Sequence, residues 1–271
     1  MKSLMKTSLT AMVLIVALMM AGCQPEDDPQ NGGGDNNGGD PNGNNTEAII
    51  DGHAYVDLGL PSGTLWATCN IGAERPEGYG KYFAWGETSP KSTYDYWNYV
   101  HSCFHVYGML DYNDKFNYAK YCSDPTYAWH GVADTLTMLE SVDDAAAVNW
   151  GGGWHVPSLS EMSELFEHCS WSSTTQGGVR GLKVTASNGN SIFFPAAGYR
   201  LFQLLYEEEN GKGFYWMNQT FWNDITDAWS LYFDPSIEPF LWSPNTEGTL
   251  LHHERRYRGF SVRPVHAAVG N

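Results

Sequence analysis

Apolar positions along this chain come in short alternating runs, with few long amphipathic stretches. Ile49 to Leu58 reads as a turn followed by a strand, and Leu60-Pro61-Ser62-Gly63 has turn chemistry. Thr64 to Cys69 reads as a second strand, so the two predict a hairpin. Tyr79 to Gly86 is short, aromatic and bounded by glycines. Two helices are predicted. Asp143 or Asp144 can cap Ala145–Asn149, with Gly151-Gly152-Gly153 ending it. Ser158-Leu159-Ser160-Glu161 is a capping box after Pro157, and Met162, Leu165, Phe166 and Cys169 follow at i, i+3, i+4 and i+7 on one apolar face. Beyond that helix the pattern is β. Gly181–Thr185 and Ser191–Pro195 flank the turn Ser187-Asn188-Gly189-Asn190. Gly213–Met217, Ala228–Phe233 and Gly259–Val265 are further strands, and alternation places Trp216 and Trp229 in the core. Arg200–Lys212 and Asp234–Arg258 read as long loops, where function usually resides. No internal repeat is present. The pattern predicts an α+β fold of short antiparallel strands, two helices and long irregular loops.

Composition narrows the function classes. The chain has 271 residues, enough for one large domain or two small ones. With 17% charged and 14% aromatic residues it can bury a core, which excludes a disordered chain and disfavours a helical bundle. The net charge is −16, and without Lys2 and Lys6 the remaining 13 basic and 31 acidic residues give −18. A phosphate backbone needs a positive surface, so no nucleic-acid partner is expected.

Lys2 and Lys6 precede an apolar run, Leu9–Ala21, too short for a spanning helix. The run ends in Met20-Ala21-Gly22-Cys23, which resembles a bacterial lipobox. The resemblance implies residues 1–22 as a signal peptide, cleavage before Cys23, and lipidation (a palmitate-bearing anchor) at Cys23. Such chains contribute about 0.8 kcal/mol per buried methylene. Contact with the membrane is expected through the lipid anchor only. Glu26-Asp27-Asp28 resembles the surface-export signal of Bacteroidetes lipoproteins, which implies an outer-membrane, surface-exposed location. Pro29–Glu47 is dominated by Gly, Asn and Asp. Residues 23–47 are therefore expected to be a tether, spanning roughly 25–30 Å as a random coil. The globular domain is expected over 48–271.

Four further cysteines, Cys69, Cys103, Cys122 and Cys169, are an even number in an exported domain. Of three possible connectivities, Cys103–Cys122 closes a local aromatic segment and Cys69–Cys169 ties a strand to a helix; these two disulfides are expected. No cysteine or histidine spacing suits zinc.

Val56-Asp57-Leu58-Gly59-Leu60-Pro61-Ser62-Gly63-Thr64-Leu65-Trp66-Ala67-Thr68-Cys69-Asn70-Ile71-Gly72 resembles the opening of the Fibrobacter succinogenes major paralogous domain. So do Tyr82–Thr88, Trp150-Gly151-Gly152 with Trp154-His155-Val156-Pro157, Pro195–Arg200 and Ser261–Val265, which together span Asp51 to Val265. Their order is also similar to the sulfatase-modifying, formylglycine-generating enzyme domain. The resemblance implies a C-type-lectin-like fold, with N- and C-terminal strands paired and loops forming a variable face. This chain departs from the family at His155, where Arg is usual, at Met217-Asn218-Gln219-Thr220, where serines are usual, and at His266, where Cys is frequent.

Catalytic chemistry is hard to find. Formylglycine-generating activity would need a late reactive cysteine pair, and the last cysteine is Cys169. Glu87, His155, Glu161 and Arg200 are conceivable acid/base groups, but the capping box accounts for Glu161 and packing beside Trp154 for His155. His252-His253-Glu254 is better read as a solvated loop than as a metal site. Glu207-Glu208-Glu209 and Asp143-Asp144 match no calcium loop. No metal and no cofactor is expected. The binding signal is aromatic: Trp222, Trp242, Tyr206 and Phe240 lie in or beside the late loops, and such rings stack on sugar C–H faces or anchor protein interfaces. The expected function is non-catalytic, binding a glycan or protein ligand at the cell surface. The alternatives are an enzyme related to the sulfatase-modifying domain, and a structural or adhesive surface component.

Overall fold

The computed structural model describes residues 47–108, 116–206, 211–236 and 251–268. Cys23, Phe240, Trp242 and Glu207-Glu208-Glu209 lie outside them. The fold is α+β: the described residues form mostly small antiparallel sheets with three short α-helices. No helix among the described residues is long and apolar enough to cross a membrane.

The first sheet starts as a hairpin, β1 (Glu47–Ile50) with β2 (His53–Asp57). Its turn is Asp51-Gly52 with φ of 49° and 81°, the left-handed pair that Asp-Gly adopts at low steric cost. β2 pairs with β3 (Leu65–Ala67), as the alternation predicted. The C-terminal strand β15 (Val265–His266) then enters between β3 and β5 (Trp154–His155). The two ends of the domain thus meet in one sheet.

The second sheet runs in the order β13 (Leu251–Arg255), β12 (Asp227–Phe233), β11 (Gly213–Thr220), β14 (Phe260–Ser261) and β4 (Tyr82–Phe83). Only the β11–β14 contact is parallel. The third is a meander of β6 (Cys169–Gln176), β7 (Val179–Ala186) and β8 (Ser191–Pro195). The hairpin predicted at Ser187–Asn190 is its β7–β8 turn.

Helix α1 (Cys103–Tyr107) had no signal in the periodicity; five residues are too few to show one. Helix α2 (Ala145–Trp150) starts at Asp144, whose carboxylate accepts from the amides of Ala146, Ala147 and Val156. Helix α3 (Leu159–His168) carries the reciprocal Ser158–Glu161 capping box. Met162 and Leu165 are fully buried, with Phe166 and Cys169 packed beside them.

β11 is buried on both faces, and period-two alternation divides its side chains between two cores. Tyr215 and Met217 join Trp66, Leu165, Phe194 and Leu231. Phe214 and Trp216 join Trp85, Ala146, Val156 and Phe260. Trp216 and Trp229 are both buried, at 2% and 9% exposure, as alternation indicated. A third cluster gathers Tyr82, Tyr94, Tyr96, Tyr99 and Tyr118. Buried phenols need partners: Tyr94 donates to the Tyr82 carbonyl at 2.6 Å and Tyr99 to the Trp85 carbonyl at 2.8 Å.

Several expectations are corrected. Gly259–Val265 is two strands in different sheets, not one. Proline lacks an N–H, and here the Val262 and Pro264 carbonyls accept from Ile71 and Ala67 as the chain crosses over. Arg200–Lys212 is not a plain loop: β9 (Tyr199–Leu201) and β10 (Leu204–Tyr206) form a hairpin. Asp234–Arg258 contains β13. The disulfides Cys69–Cys169 and Cys103–Cys122 are not formed among the described residues, where all four cysteines are thiols. Cys122 sits in the tyrosine cluster with its Sγ 3.4 Å from the Asp124 carbonyl, and Cys169 packs against the first core. Burial pushes both thiols up to about 11, which disfavours the thiolate that exchange requires.

Candidate ligand-binding face

The turn from β11 to β12 carries an exposed tryptophan close to hydrogen-bonding groups. Trp222 is 66% exposed. Its ring lies 4.6 Å from that of Trp229 and 5.9 Å from that of Phe221. Trp222 therefore rests on a packed base and still presents its own ring to solvent. Phe221 stacks face to face on His253, with centroids 3.8 Å apart and planes 7° from parallel.

A polar network holds this shelf. His253 Nδ1 is 2.7 Å from Asp227 Oδ2. The other oxygen of Asp227 accepts from Arg255 Nη1 at 2.9 Å, and Asp224 Oδ2 accepts from the same nitrogen at 3.2 Å. Arg255 Nη1 also contacts Thr226 Oγ1. Thr226 donates its amide and hydroxyl to Asp224 Oδ1, closing the turn locally. Burial pushes the Asp224 carboxyl up, but the Thr226 hydrogen bonds and the Arg255 charge outweigh it and hold the group below the usual carboxylate range. His252, next along β13, is driven down to about 4 by burial and by the neighbouring His253. Its Nδ1 is buried without a hydrogen-bond partner.

At the rim, Arg255 and His253 keep 43% and 42% of their side chains exposed and Asp224 keeps 35%. The face thus offers one aromatic plane and fixed donors and acceptors beside it. Its charged groups are engaged with one another.

Of the aromatics singled out in the sequence, Trp222 is on this face. Tyr206 is not tied to it; it stacks on Tyr199 at 4.9 Å within the β9–β10 hairpin. The conceivable acid/base residues are spread over separate contacts. Glu87 accepts from Lys91 Nζ and the Val100 amide, and Arg200 lies over the Tyr82 ring. Glu161 pairs with His155 at 3.0 Å in addition to capping α3. Asp143 accepts from Lys120 and the Tyr121 hydroxyl. No group of three or more His, Cys, Asp or Glu side chains converges as a metal site among the described residues. Phe221, Asp224 and Asp227 were not singled out in the sequence, and the reading of His252-His253-Glu254 as a solvated loop is corrected: these residues lie in the half-buried strand β13. The one usable signal was Asp224-Ile225-Thr226-Asp227, whose Asp-x-Thr spacing favours a side-chain-capped turn.

Set against protein-family models, curated proteins and solved structures, the chain has no match.

Proposed function

We propose that this protein is a lipid-anchored lipoprotein of the outer cell surface whose C-type-lectin-like domain binds a glycan through the Trp222 face, without catalysis. The observation that carries the reading is Trp222, a two-thirds exposed indole seated on buried aromatics and bordered by the Asp224–Arg255–Asp227–His253 network. Sugars present both an apolar C–H face and a rim of hydroxyls, and this surface complements both. A protein partner would be better served by a broad apolar patch, whereas Phe221, beside Trp222, stacks on His253 of the charged network. The lectin-like reading rests on the family resemblance. The insertion of the C-terminal strand between β3 and β5 supports it, as does the position of Trp222 in a connection between strands. The anchor rests on Met20-Ala21-Gly22-Cys23 and the export signal on Glu26-Asp27-Asp28.

The full-length protein in detergent, applied to a glycan array, tests binding. Trp222→Ala should lower affinity for any glycan retained by roughly 1–3 kcal/mol while thermal melting stays unchanged. Retained binding in that variant overturns the reading. Palmitate labelling with membrane fractionation of Cys23→Ala tests the anchor, since a labelled, membrane-bound variant would refute it.

A further inference from the structure

Helix α3 buries Met162 and Leu165 and turns Ser160, Ser163, Glu164 and Glu167 outward at i, i+3, i+4 and i+7. Together with the β2–β3 turn and the end of β11, this stripe lines an open groove of about 730 Å³. Both walls are fixed by long-range hydrogen bonds. Glu164 accepts the Ser62 amide at 2.8 Å and the Ser62 hydroxyl at 2.5 Å, clamping the turn to the helix. Gln219 Oε1 accepts the Leu159 amide at 3.1 Å, clamping β11 to the helix start.

The lining states what the groove can take. It contains serine hydroxyls, glutamates, His168 and Gln219, and neither lysine nor arginine. Ser163 already donates to the Leu159 carbonyl at 2.7 Å, so its oxygen faces a ligand as an acceptor. Acceptors therefore outnumber donors, and the ligand must bring its own hydroxyl donors. An anionic ligand would meet three glutamates against which the surroundings set only two histidines, His168 at 4.0 Å from Glu167 and His155 at 3.0 Å from Glu161, on a chain of net charge −16. Gln219 is three residues from Trp222, at most about 10 Å along the chain. The groove and the aromatic shelf are therefore near neighbours, within reach of one short oligosaccharide.

Building on the glycan reading of Trp222, we propose that the α3 groove is a second subsite of the same face, and that the two together bind a neutral, hydroxyl-rich linear oligosaccharide. Calorimetry on the full-length protein in detergent tests this with neutral hexasaccharides of glucose, mannose, xylose and N-acetylglucosamine, their disaccharides, and a hexagalacturonate. Ser160→Trp fills the groove and Glu167→Lys changes its charge, both at exposed helix positions. Melting curves confirm that each variant folds. At least one neutral hexasaccharide should bind, and each groove variant should weaken it tenfold or more while leaving its disaccharide within twofold. Hexasaccharide affinity unchanged in both groove variants but lost in Trp222→Ala overturns the second subsite and leaves the Trp222 reading standing. The opposite result, loss in the groove variants with Trp222→Ala silent, removes the Trp222 reading. Tighter binding of hexagalacturonate, or no binding of any neutral hexasaccharide, overturns the ligand class.

Discussion

Glu161 does two jobs that substitution can separate. Its Oε2 accepts from the Ser158 amide at 2.8 Å and the Ser158 hydroxyl at 2.7 Å, which starts α3; its Oε1 meets His155 Nε2 at 3.0 Å. Gln can still serve the cap but cannot form the ion pair. Glu161→Gln should therefore cost about 1.5–3 kcal/mol, the worth of a charge-assisted hydrogen bond. Glu161→Ala also forfeits the cap, adding about 0.5–2 kcal/mol. The pair is proton-linked. Burial pushes His155 down, but the hydrogen bond to Glu161 and its charge override this and raise the imidazole above 6.5. Burial pushes Glu161 up, and His155 together with Ser158 outweighs it and holds the carboxyl below 4.5. A raised histidine stabilises fully below its unfolded value near 6.5, and that contribution is lost as pH rises through the higher folded value. A depressed carboxyl stabilises above about 4.5, and that contribution is lost as pH falls through the lower folded value. The pair should contribute most between about pH 4.5 and 6.5. Urea denaturation of wild type, Glu161→Gln, His155→Gln and the double variant, at pH 5.5 and 9 and constant ionic strength, measures the coupling. The coupling energy should shrink at pH 9. An equal coupling at both pH values would refute the linkage.

Trp229→Ala should lose about 3–5 kcal/mol of stability by urea denaturation, because its ring is buried under Trp222, whereas Trp222→Ala should melt close to wild type. Arg263 is fully buried and donates to Asn70 Oδ1 and to the carbonyls of Ala67, Thr68 and Phe193. Arg263→Leu strands these acceptors at about 1–3 kcal/mol each, so circular dichroism should show an unfolded domain at 25 °C. Cys122 and Cys169 should alkylate with iodoacetamide at pH 8 at least tenfold more slowly in the folded protein than in urea, read by mass spectrometry, because burial disfavours their thiolates.

Features encoded within a few residues were legible in the sequence. The helix caps at Asp144 (one of the two aspartates offered) and Ser158, the Ser187–Asn190 turn and the burial of Trp216 in β11 each depend on hydrogen bonds or side-chain directions set by near neighbours. The exposure of Trp222 was legible for a similar reason: Asn223 and Asp224 follow it in the chain, and polar neighbours mark a turn. The support beneath Trp222 was not legible. His253 and Arg255 reach Asp227 across 26 and 28 residues only because β13 pairs with β12. β13 itself escaped detection because all five of its residues are half-buried at a sheet edge, so no apolar alternation betrays them. The split of Gly259–Val265 between two sheets and the place of β15 between β3 and β5 were likewise settled by packing. Local sequence sets which backbone conformation each segment prefers. Which segments become neighbours is decided by burial of the whole apolar surface at once, and that is a property of the assembled chain.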